Sequence, residues 1–245
     1  MFIALILCLL FSTSNLLAQS PCEIYFLSSP EHIKLYTDKN QSWFSRIQEL
    51  KPKGNFIHSI SELPQEIKGR VSVGIFRAET PEGDYVLKLL PEEAFLDMYG
   101  HKILLQKHLS NFGLAPKVRN VYFKESLDAL KAKFDQLSPH TNIGILMEEV
   151  DGTMIKQAFI EKGKIPNLSQ LPRSPEFNQI VRSNLQSLEK ALNDLEVSVL
   201  DAQMIITNSG EVKLIDFDFY EWSIDPIMRE NRVEANFDNI LELFP

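Results

Sequence analysis

Cysteine is scarce in this chain, which carries only Cys8 and Cys22. Cys8 lies in a leader-like segment, so the mature chain would keep Cys22 alone and form no intramolecular disulfide. Stability must then come from an apolar core. Positive charge is also in deficit: 25 Lys and Arg against 33 Asp and Glu give a formal net charge of −8. That balance excludes a general affinity for nucleic acid or for anionic membranes. Internal repeats and extended low-complexity runs are absent, which excludes a solenoid or a disordered tract. Finally, the first twenty residues contain no charged side chain. Phe2 to Phe11 form an apolar block, followed by Ser12-Thr-Ser-Asn15 and Leu16-Leu-Ala-Gln-Ser20. This pattern is that of a signal peptide over 1–20, cleaved after Ala18 or Ser20, and it implies a secreted protein with no membrane contact after cleavage. No Lys or Arg precedes the block, and an uncleaved anchor is the alternative, although the run is short for a span. No lipobox precedes Cys22, which argues against lipidation.

What is present is globular: 44% of residues are hydrophobic and 24% charged, enough for one or two modest cores. Residues 21–60 read as an N-terminal extension packed on the first lobe, with a helix near Trp43–Leu50 that Lys51-Pro-Lys-Gly54 ends. Residues 69–78 and Tyr85–Leu90 read as an antiparallel hairpin around the turn Thr80–Asp84. Pro91-Glu-Glu opens a helix that runs to about Ser110. Lys117–Phe123 and Ile143–Glu148 read as further strands. After Asp151-Gly152 the pattern predicts a short helix over 153–161 and a proline-bearing loop over 162–175. Next comes an amphipathic helix carrying Val181, Leu185, Leu188, Leu192 and Leu195. The fold class is α+β, with a sheet-rich half at 61–150, a mainly helical half at 151–245, and a cleft between them.

The most informative stretch follows that helix. Met204–Thr207 and Glu211–Ile215 read as strands joined by Asn208-Ser-Gly210. The polar ends of this hairpin bring Asp201 and Gln203 towards Asp216 and Asp218. Converging oxygen donors of this kind suit a magnesium–phosphate site.

Across roughly residues 68–220 the sequence resembles the protein-kinase-like fold, and within it the minimal secreted bacterial effector kinases of the HopBF type. Gly69-Arg-Val-Ser-Val-Gly-Ile-Phe76 is similar to the glycine-rich loop over the phosphates, with Gly69 and Gly74 kept and Val71 in place of the middle glycine. Lys88, fourteen residues after Gly74, resembles the lysine that holds the α- and β-phosphates. The helix glutamate that pairs with it in the family has no clear match, and Asp97 or Glu93 stands nearest. Gly144–Gly152 resembles the hinge, with Met147 at its deep end and the backbone of Glu148 to Val150 facing adenine. Asp216-Phe-Asp218 stands where the family has Asp-Phe-Gly, and Gln203, thirteen residues earlier, takes the place of the metal-binding Asn.

The resemblance therefore implies ATP and Mg2+, with Gln203 and Asp216 as metal ligands. It implies Lys88 on phosphate and Asp201 as the catalytic residue facing an acceptor hydroxyl. Ser198 occupies the usual position of the catalytic Asp, eighteen residues before Asp216. Two readings stay open: a transferase with a shortened catalytic loop, phosphorylating a Ser, Thr or Tyr of a protein substrate, or a pseudokinase that binds nucleotide or protein. AMP transfer is a third chemistry. Only 27 residues follow Asp218, so the resemblance implies a minimal second half.

Overall fold

The computed structural model describes residues 43–53, 56–63, 73–92, 96–156, 159–160, 163, 165–195, 198–199, 203–216, 220–221 and 237–245. The signal peptide expected over 1–20 lies outside them, as do Gly69, Glu93, Asp201 and Asp218.

The first half is built on a five-stranded antiparallel sheet in the order β1-β2-β3-β5-β4. Its strands are β1 (Ser59–Glu62), β2 (Gly74–Thr80), β3 (Gly83–Pro91), β4 (Val118–Tyr122) and β5 (Thr141–Glu148). β2 and β3 form the expected hairpin, in register from Gly74↔Leu89 to Thr80↔Gly83. Period-two alternation then sorts the side chains of the sheet by face. Phe76, Ala78, Leu87, Leu89 and Leu146 pack with Leu127 and Leu130 of helix α3 (Glu125–Lys133). Leu90, Ile145 and Met147 point the other way. There they meet Ile47 of helix α1 (Trp43–Glu49) and Ile103 and Leu104 of helix α2 (Leu96–Ser110). The extension thus packs on the first half through α1. β1, however, crosses the boundary expected at residue 60 and joins the sheet as an edge strand.

Pro91 does not open α2. It is the last residue of β3, beside a register shift and opposite Thr141. A strand end at a bulge tolerates a residue without an N–H, so the same proline suits either context.

The second half contains a three-stranded antiparallel sheet, β6-β8-β9, formed by Thr153–Lys156, Gln203–Ile206 and Val212–Asp216. β7 (Ser198–Val199) and β10 (Tyr220–Glu221) pair separately. The helix expected over 153–161 begins as strand β6 instead. Gly152 is the reason: a Cβ there would lie 2.4 Å from the Ile206 carbonyl oxygen, so only glycine lets β6 close on β8. Beneath this sheet runs helix α4 (Pro175–Asp194), started by Ser174, whose Oγ accepts from Phe177 N–H at 3.1 Å, and by Pro175 at the first position. Its stripe of Phe177, Val181, Leu185, Leu188 and Leu192 buries against Ile155, Met204, Ile206, Val212 and Leu214. Each such side chain contributes about 1.5–3 kcal/mol of transfer free energy.

α2 holds the halves together. Leu105 and Leu109 on one side belong to the second core, while Ile103 and Leu104 belong to the first. Just beyond it, Leu214 N–H donates to Leu114 O at 2.8 Å and Lys213 Nζ to Gly113 O at 2.7 Å.

Candidate functional site

The two sheets turn their remaining faces toward each other and enclose a cleft of about 450 Å³. One wall is Ile75, Arg77, Val86 and Lys88 of β2 and β3. The opposite wall is Met154 of β6, Gln203 and Ile205 of β8 and Ile215 of β9, with Phe159 alongside. Met147 and the segment from Glu148 to Gly152 close the back. A slot faced by Ile75 and Val86 on one side and by Met154, Ile205 and Ile215 on the other suits a flat apolar group. Among the described residues, the N–H and C=O of Val150 at its edge make no hydrogen bond.

Lys88 is half-buried on β3 between Ile75 and Ile145, and it also borders a smaller space under α2 lined by Tyr99, Lys102, Ile103 and Gln106. The side chain of Asp97 and all of Glu93 lie outside the described residues.

Gln203 and Asp216 are direct cross-strand partners, beside a bulge between Gln203 and Met204. Gln203 is only 8% exposed, lines the cleft, and its amide has no hydrogen bond to any described residue. Its amide therefore opens on the cleft, where a ligand could accept or donate a hydrogen bond. Asp201 lies outside the described residues, two positions before Gln203. Of Asp216, only its backbone position is described. Among the described residues, no group of three His, Cys, Asp or Glu side chains is placed to hold a metal.

Other expected positions behave differently. Gly74 is a buried rung of β2 and does not line the cleft; a Cβ there would press on the Phe76 ring at 2.5 Å. Its glycine identity is explained by packing inside the strand. Glu148 spends its N–H on Lys117 O at 2.9 Å and receives Lys117 N–H on its carboxylate at 3.1 Å, which leaves its carbonyl and Val150 as the hinge groups available to a base. The sequence reading passed over Arg77 and Glu149. Arg77 Nε donates to the Glu149 carboxylate at 2.9 Å across the mouth of the cleft. The hydrogen bond to Glu149, then its charge, raise the Arg77 pKa further above its ordinary value. The alternation of β2, which turns Ile75 and Arg77 to one side, was the available signal.

Among the described residues, no helix is long and apolar enough to cross a membrane. No protein-family model and no curated protein matches the chain.

Proposed function

We propose that the chain is a minimal kinase-like phosphotransferase of secreted type, moving the γ-phosphate of ATP to a Ser, Thr or Tyr hydroxyl of a protein. The observation that supports this reading most is the meeting of Lys88 from one sheet with the adjacent Gln203 and Asp216 from the other, across one cleft. Adenine would lie in the apolar slot, with the Glu148 carbonyl and the Val150 backbone at its edge. Lys88 would hold the α/β-phosphates as a compact positive charge.

The donor set fits magnesium: a hard ion takes an amide oxygen and a carboxylate and leaves its other positions to phosphate and water. What supports the fit is the Gln203 amide, which lines the cleft and has no hydrogen bond to a described residue, next in register to Asp216. When bound, Mg2+ supplies charge neutralisation on the phosphates. In the reaction the acceptor oxygen forms a bond to the γ-phosphorus, the bond to the bridging oxygen breaks, and ADP leaves. The acceptor proton passes to the carboxylate of Asp201.

A thermal shift with ATP, with and without Mg2+, tests binding, and transfer of γ-phosphate to a bystander protein tests chemistry. The expected result is a Mg2+-dependent shift lost in Asp216→Ala, with transfer lost in Asp201→Ala. Absence of any nucleotide shift would sink the reading. A shift without transfer would favour the pseudokinase alternative, for which Ser198 at the usual catalytic position speaks.

A further inference from the structure

Resting on the nucleotide reading above, we propose that Lys156 is a second phosphate-binding lysine that recognises the terminal phosphoryl group from the wall opposite Lys88. Three observations carry this. First, the register of the small sheet sets Lys156 beside Gln203 and Gln203 beside Asp216, one row across β6, β8 and β9. Neighbouring strands lie about 4.8 Å apart, so Lys156 stands one strand from Gln203 and two from the backbone of Asp216. Second, alternation along β6 sends Thr153 and Ile155 into the protein and leaves Met154 and Lys156 half-buried on the cleft face, where Met154 is part of the wall. Third, Lys156 Nζ lies 5.7 Å from the ring centroid of Phe159, itself a cleft residue, which holds the ammonium against the wall.

The chemistry follows from the order of the row. Gln203 and Asp216 would hold a metal that supplies charge neutralisation on the outer phosphates of a triphosphate. Lys156 stands on the far side of Gln203 from Asp216, where it would meet the oxygens of the last phosphoryl group. An ammonium with three rotatable donors on a flexible stem suits them, since it need not match a planar fork. Lys88 serves the inner phosphates from above, so the two lysines grip different parts of one chain of phosphates. This assignment predicts selectivity for a triphosphate over a diphosphate.

The test compares Mg·ATP and Mg·ADP affinities of the full chain by titration calorimetry, for wild type, Lys156→Met and Lys156→Arg. Methionine keeps the apolar stem against Phe159 and removes only the charge. The expected result is roughly a tenfold or greater loss for ATP in Lys156→Met, the size of one charge-assisted hydrogen bond. ADP affinity should change less than about twofold, and Lys156→Arg should restore most of the ATP preference. An equal loss for both nucleotides, or no loss for either, overturns the proposal. If the wild-type chain binds neither nucleotide, the reading on which it rests fails, and the proposal with it.

Discussion

Two polar side chains, Tyr122 in the first half of the molecule and Gln203 in the second, sit in surroundings that set them apart. Tyr122 lies 1% exposed in the face of the large sheet that α3 covers, with its hydroxyl unpartnered among apolar neighbours and no cavity beside it. Gln203 lies 8% exposed in the small sheet, and its amide opens on the cleft. The first is a cost the core absorbs; the second is open to the cleft. The upper wall makes the same point in reverse, since Arg77 and Glu149, and Glu148 and Lys117, satisfy each other. Polar groups that are already paired hold the wall together, whereas the Gln203 amide is left facing the cleft.

The comparison is broken most severely by collapsing the floor under Gln203. Leu185→Ala empties the core between α4 and the small sheet and should cost about 2–5 kcal/mol in chemical denaturation. Nucleotide response should fall with it. Gly152→Ala should cost about 1–3 kcal/mol by forcing β6 away from Ile206, the overpacking penalty. It should spare the large sheet, which hydrogen exchange would show as lost protection confined to β6 and β8.

Gln203→Leu sharpens the comparison directly. Stability should change by less than about 1 kcal/mol, because the amide has no hydrogen bond to a described residue to lose. The Mg2+-dependent ATP shift should nevertheless disappear. Were stability to fall as for a core mutation, Gln203 would be a structural residue like any other.

Tyr122→Phe should gain about 1 kcal/mol or less and leave nucleotide binding unchanged. Burial raises the Tyr122 pKa above its ordinary value, while the unfolded chain keeps a value near 10. The stability tied to the neutral phenol is therefore complete below about pH 10 and is lost as pH rises above it. Denaturation followed above that pH should show the wild type losing stability faster than Tyr122→Phe.

Much of the fold can be read from the chain because its signals are local. α4 announces itself through Ser174-Pro175 and apolar residues at helical spacing, and β2–β3 through alternation. The misreadings fall where a short segment takes its form from a distant partner. Thr153-Met-Ile-Lys156 is too short to carry a period, and what makes it a strand is the approach of β8, some fifty residues later, over the bare Cα of Gly152. α3, with two buried leucines, left too faint a stripe to be read. Pro91 satisfied a helix-start rule and a strand-end rule equally, and pairing with Thr141 chose between them.

The site divides in the same way. The approach of Gln203 to Asp216 is legible in the sequence to within one residue: the short turn at Thr207–Gly210, with Gly210 at φ 85° in the left-handed conformation that glycine allows, sets a register that carries Gln203 to the end of β9, and the bulge between Gln203 and Met204 then puts it opposite Asp216. That Lys88 faces this pair, and that Lys156 stands beside it, was decided only by tertiary structure. Periodicity states which residues share a face of a sheet, but it carries no information about which two faces will meet. Here that was settled by α2, which buries one side in each core and so holds the remaining faces of the two sheets across a single cleft.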